Sequence, residues 1–197
     1  MTPPRSPRFL AAVELAQRAL DAAGVPSMLI GGVAVIARGV PRTTLDVDAT
    51  LEGALTDLDE VVRAWRPLGL EPRIEGAVEF ARRHQTLLLR DARHDVPVDV
   101  TLAWLPFEAE AIARSELASL GELRVRVPRV EDLLVYKLVA GRPRDLDDAE
   151  RLMLLHRERV SAARLRGVVG EFAAAIEDDR PLRALERLLA GAGGAPR

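Results

Sequence analysis

Leu10, Val13, Leu15, Ala16, Ala19 and Leu20 recur at near-helical spacing, which predicts a helix over residues 9–23 stopped by Gly24. Ser27 to Ile30 is a short apolar run and reads as a strand. Gly31-Gly32 interrupts it, and a second short helix is expected from Val33 to Ala37. Between Leu45 and Leu51 the period changes to two. Asp46, Asp48 and Thr50 fall on one face, and Leu45, Val47, Ala49 and Leu51 on the other, as in a strand buried on one side. Thr56 is placed to cap a helix reaching about Leu68. Thr86–Leu89 and Val96–Leu102 flank a polar turn at residues 91–95 and predict a hairpin. Pro106 opens a helix through Ile112, and Leu123–Val127 alternates like a strand with one wet face.

Beyond Pro128 the helical period takes over. Helices are expected over 130–140 and 145–155, joined by Gly141-Arg142-Pro143. Ser161 caps a further helix through Ile176, and a last one runs from about Pro181 to Leu189. Residues 1–8, with Pro3, Pro4 and Pro7, read as an irregular lead-in, and Gly191, Gly193 and Gly194 as a loose tail. The pattern is α+β: a short mixed sheet flanked by helices over residues 9–127, then a C-terminal helical region over 128–190.

Composition narrows the chemistry. Apolar residues make up 48% of the 197 and charged residues 29%, the balance of a folded globular chain. There is no cysteine, which excludes thiolate nucleophiles, disulfides and zinc–thiolate sites. No run approaches the roughly 20 apolar residues needed to span a bilayer, and the N-terminus lacks a signal-like apolar stretch. A cytoplasmic protein with no membrane partner is expected. The formal charge of -2 lacks the basic excess of proteins that grip long nucleic acid.

Asp46 and Asp48, two apart on an expected strand, project from the same face. Like charges so close favour an intervening cation, and hard carboxylate oxygens suit Mg²⁺ or Mn²⁺. Asp99, alone among the valines of VPVDV, is the natural third member if its strand lies alongside. Two metals roughly 4 Å apart can activate a hydroxyl and stabilise a leaving pyrophosphate. Gly31-Gly32 removes side chains where backbone would approach a triphosphate, at the start of a helix whose N–H groups favour anions. Ordinary solvent-facing aspartates and a tight glycine turn are the plain alternatives.

The segment from Gly31 to Asp48, of pattern GGxAxxxxGxxRxTxDxD, resembles the signature of the polymerase-beta-like nucleotidyltransferase superfamily. Its Gly-Gly form is similar to that of the nucleotidyltransferase toxins of abortive-infection, type IV toxin–antitoxin systems and their small relatives. Some aminoglycoside and lincosamide nucleotidyltransferases carry a similar segment. VEDLLVYKLVAGRPRDLDDAERL, residues 130–152, resembles the toxins' lysine helix and its following Arg-Asp-x-x-Asp segment, here Lys137, Arg144, Asp145 and Asp148. The resemblance implies a nucleotidyltransferase fold, an NTP substrate with Mg²⁺ or Mn²⁺, and a metal triad of Asp46, Asp48 and Asp99. It implies that Lys137 contacts phosphate, and that Asp145 or Asp148 positions Lys137 or substrate. Transfer of a nucleoside monophosphate to an acceptor hydroxyl follows. The acceptor is an RNA 3′ end in the toxin version, with a protein antitoxin as partner. An antibiotic or protein hydroxyl is the alternative, and a non-catalytic nucleotide- or partner-binding protein a third.

Arg42 and Thr44 lie in the loop before the aspartates and are candidates for phosphate contact or loop bracing. Lys137 is the sole lysine. Arg82, Arg83, Arg90 and Arg93 are candidates for a positive rim. His84, His94 and His156 form no ligand cluster in sequence, and His94 is expected to be exposed in its turn. Trp65 and Trp104 are expected to pack in or against the core.

Overall fold

The computed structural model describes residues 6–53 and 56–191. Pro3, Pro4, Gly193 and Gly194 lie outside the described residues. The chain divides into two compact units, Met1–Ala37 with Pro41–Pro128, and Arg38–Val40 with Arg129–Arg197.

The first unit is built on a five-stranded sheet of order β1-β2-β5-β4-β3. Its strands are β1 (Ser27–Leu29), β2 (Val47–Glu52), β3 (Leu70–Pro72), β4 (Thr86–Asp91) and β5 (Val96–Ala103). The hairpin β4–β5 forms as its sequence alternation requires. β2 and β5 run parallel, and the other neighbours are antiparallel, so the sheet is mixed. Leu29, Val47, Ala49, Leu51, Leu87, Leu89, Val98 and Val100 are all but fully buried. Helix α1 (Pro7–Ala23) contacts this sheet and buries Phe9, Ala12, Val13, Ala16, Ala19 and Leu20. The alternating residues Asp48, Leu88, Asp99 and Thr101 share the opposite, less covered face.

Several local expectations need correction. Pro7 does not break structure; it occupies the first turn of α1, where its missing N–H costs no helical bond. The second helix, α2 (Gly31–Ala37), begins at the glycine itself. The cap of α3 (Leu58–Trp65) is Asp57, whose Oδ1 accepts from the Asp59 and Glu60 N–H groups, while the Thr56 hydroxyl donates to the Glu52 carbonyl. Strand β3 and helix α4 (Ala77–His84) carry too few apolar residues to announce themselves. Helix α5 (Pro106–Ala113) starts at its proline as expected. The strand over Leu123–Val127, β7, pairs with β6 (Glu116–Leu120) in a separate two-stranded sheet, with Val125 and Val127 buried. Trp65 is fully buried, whereas Trp104 is 69% exposed.

The second unit contains α6 (Val130–Ala140), α7 (Pro143–His156), α8 (Ala162–Ala175) and α9 (Arg180–Gly191). Gly141 ends α6 at φ 62, a left-handed position that favours glycine, and Ser161 caps α8 through the Arg164 N–H. Leu133, Leu134, Leu138, Leu152, Leu165, Val169 and Leu185 form its core. Within it Lys137 is buried, with Nζ 2.8 Å from Asp145 Oδ1 and 3.0 Å from Asp148 Oδ2. One ammonium thus tethers α6 to two carboxylates of α7. None of the described helices is long and apolar enough to cross a membrane.

Removing one member of a buried ion cluster strands the others without compensation. Lys137→Met, which retains most of the stem volume, is expected to lower unfolding free energy by about 3–5 kcal/mol in urea titration. A loss below about 1 kcal/mol would show that the cluster contributes little.

Candidate active site

Parallel pairing of β2 and β5 sets Asp48 directly opposite Asp99. In-register residues of neighbouring strands point to the same face, so the two carboxylates share the less covered side of the sheet. Asp46 does not belong to the strand. It lies in the bend just before Val47, is exposed, and accepts the Thr44 hydroxyl on Oδ1 at 2.7 Å. The strand expected from Leu45 begins two residues later, and Leu45 is 86% exposed instead of buried.

The glycine pair has a steric reason within this segment. Gly31 has φ +57, and a Cβ there would sit 1.9 Å from Asp48 Oδ2. A Cβ on Gly32 would sit 2.6 Å from Thr44 Oγ1. The Ile30 N–H also donates to the Asp48 carbonyl at 2.8 Å. Glycines, threonine and both aspartates are therefore one packed unit. Arg42 belongs to the same loop, with Nε donating to the Thr43 carbonyl at 3.3 Å.

A residue that the sequence reading did not single out completes the cluster. Arg73 follows β3, is anchored by its N–H to the Leu88 carbonyl, and places Nη2 2.6 Å from Asp99 Oδ1. Its only sequence signal is the spacing that sets an arginine opposite Leu88, and that register is invisible until β3 is known. Burial pushes the Asp99 carboxyl above the usual carboxylate range; Arg73 pulls it back, and the charge of Asp46 adds to the upward push. Asp46 is thus close enough to be felt at Asp99.

The donor types suit a hard divalent cation: Asp46 just before β2, Asp48 on it and Asp99 on the neighbouring strand offer carboxylates and no soft ligand. Among the described residues no three acidic or imidazole side chains are already gathered as a metal cage. Asp46 gives one oxygen to Thr44, and Asp99 gives one to Arg73. The fit rests on the shared face and on the oxygens those bonds leave over.

Lys137, Asp145 and Asp148 occur together, in the second unit. The Lys137 ammonium lies between two carboxylates, so a phosphate would compete with both for it. Of the arginines considered as a rim, Arg82 pairs with Asp59 and Glu79, and Arg90 with Asp95. His94 lies in its turn but is half-buried rather than exposed, with Nδ1 2.6 Å from Asp91 Oδ2.

Gly31→Ala is expected to cost about 1–3 kcal/mol through left-handed strain and displacement of Asp48. Gly121, at φ +68 with nothing within 4 Å of an added Cβ, supplies the control for strain alone. Equal losses for the two alanine variants, by thermal or urea unfolding, would contradict the Asp48 contact. Arg73→Ala is expected to raise the Asp99 titration midpoint, followed by carboxyl-carbon NMR in metal-free protein. An unchanged midpoint would remove Arg73 from the site's electrostatics.

No family model matches the chain, and no curated protein matches it. Solved structures do. The solution structure of the antibiotic-resistance factor ANT(2″)-Ia aligns over 84% of this chain and 94% of its own, at 22% identity and TM-score 0.57. The crystal structure of ANT(2″)-Ia in complex with adenylyl-2″-tobramycin aligns over 83% and 98%, at 19% identity and TM-score 0.56. At these identities the likeness is one of fold: the chain has the α+β architecture found in ANT(2″)-Ia, a mixed sheet flanked by helices with a C-terminal helical region.

Proposed function

We propose that the chain transfers a nucleoside monophosphate from an NTP to a hydroxyl of a small cationic acceptor of the aminoglycoside class, releasing pyrophosphate. The observation that carries this reading is the in-register placement of Asp48 and Asp99, beside a glycine that leaves no side chain against Asp48. The fold likeness to ANT(2″)-Ia supports an antibiotic-type acceptor. The RNA end and protein antitoxin that the toxin resemblance implied draw no support from it.

Charge favours the same choice. Register places Glu71 opposite Arg90, on the face that carries Asp48 and Asp99, and Arg73 and Arg90 are the basic residues there. Arg73 pairs with Asp99, and Arg90 with Asp95. A face with no surplus of positive charge suits an amine-bearing acceptor better than a phosphate-rich one.

Asp46, Asp48 and Asp99 would hold Mg²⁺ or Mn²⁺. When bound, the metal supplies Lewis-acid stabilisation to the triphosphate. Gly31 and Gly32 keep the approach to Asp48 clear of side chains. Thr44 fixes the rotation of the Asp46 carboxylate. Asp99 Oδ2, the oxygen that Arg73 does not engage, would take the proton of the acceptor hydroxyl. The acceptor oxygen then bonds to the α-phosphorus, and the bond from that phosphorus to the bridging oxygen of pyrophosphate breaks. Lys137 would serve the second unit as the tether between α6 and α7.

Incubation with each α-phosphate-labelled NTP and Mg²⁺, with tobramycin, with small RNA, or alone, tests this reading. Label is expected in tobramycin, and Asp48→Asn or Asp99→Asn is expected to cut its rate at least about a thousandfold. Label in RNA would transfer the proposal to the toxin-like acceptor. Failure of every NTP to bind or react would contradict catalysis.

A further inference from the structure

A cavity of about 320 Å³ opens beside the catalytic segment, toward the side of the sheet that α1 covers. Phe9 of α1, Ile36 of α2 and Leu45 supply its apolar wall, and Arg8, Arg42 and His94 its charged or polar one. Leu45 is 86% exposed, a solvent-facing leucine at the rim of an apolar wall.

His94 is held by more than its turn. Asp91 is 2% exposed, and its Oδ1 accepts the Arg93 and His94 N–H groups at 2.9 and 3.2 Å. Its Oδ2 lies 2.6 Å from His94 Nδ1. A carboxylate in that position favours the proton on Nδ1, which fixes the ring; Nε2 accepts in the neutral ring and donates only when the ring is protonated. A buried carboxylate orienting an imidazole at a cavity wall is a built feature, unlike a histidine in an open turn.

Among the described residues no carboxylate lines this cavity, while the guanidinium groups of Arg8 and Arg42 do. We propose that it binds a small molecule with an apolar body and a single oxyanion, a phosphate ester or a carboxylate. Arg8 and Arg42 meet the oxyanion, and Phe9, Ile36 and Leu45 enclose the body. Thr44 also lines the cavity and holds Asp46 Oδ1 at 2.7 Å, so an occupant bears directly on the segment that carries Asp46. Neither Asp48 nor Asp99 lines the cavity, and its occupancy does not depend on the catalytic reading.

Amide-resolved NMR titration of the full chain, without NTP or metal, tests this with phenyl phosphate and with benzoate. At least one of them is expected to shift the amides of His94, Thr44 and Leu45, and phenyltrimethylammonium to leave them unmoved. Arg8→Gln and Arg42→Gln are each expected to weaken binding about tenfold or more. Phenyl phosphate alone would identify a phosphate site, and benzoate a carboxylate-tolerant one. Shifts confined to Gly31, Gly32 and Asp48, equal binding of the cation, or affinities unchanged in folded variants would each overturn the proposal. Because the readout is binding without turnover, its failure leaves the transfer reaction standing.

Discussion

The parallel pairing of β2 with β5 is the constraint on which the site depends. It brings together residues 51 positions apart in the chain and sets Asp48 across from Asp99. The same register buries Val47, Ala49, Val98 and Val100 on the other side. A one-residue slip of either strand would turn its aspartate into the core and expose its apolar residues. Hydrophobic burial against α1 therefore fixes the spacing of the carboxylates, and the chemistry inherits its precision from packing.

Placing those carboxylates together creates a repulsion that the surrounding residues only partly offset. Arg73 holds one oxygen of Asp99, Thr44 holds one of Asp46, and burial still leaves Asp99 harder to ionise than an ordinary carboxylate. A divalent cation would relieve what these contacts do not. Gly31 belongs to the same balance, because any side chain there would displace Asp48. The second unit solves a related problem differently, with one buried ammonium between Asp145 and Asp148.

The parts of this arrangement written in local pattern were legible in sequence. The hairpin and the α1 and α6 helices follow from period and turn chemistry within one segment, whereas the expected Asp46–Asp48 alternation does not hold because Asp46 lies in the bend before β2. Arg73 was not legible, because its role depends on β3, a three-residue strand containing a proline. Asp91 and His94 read as turn residues, and only burial of the aspartate shows that one orients the other. Leu45 misled for the opposite reason: its alternation matched the strand, but the bend at Asp46 ends the ladder before it. Acceptor identity lay furthest from the sequence, since the Gly-Gly motif is common to branches with different acceptors.

Anomalous diffraction from crystals grown with Mn²⁺ and a non-hydrolysable ATP analogue tests the central claim most directly. Manganese is expected between Asp48 and Asp99, ligated by both at about 2.0–2.3 Å, with Asp46 turned toward it and the triphosphate beside Gly31 and Gly32. Manganese elsewhere, or nucleotide bound without any contact to Asp48 and Asp99, would contradict it.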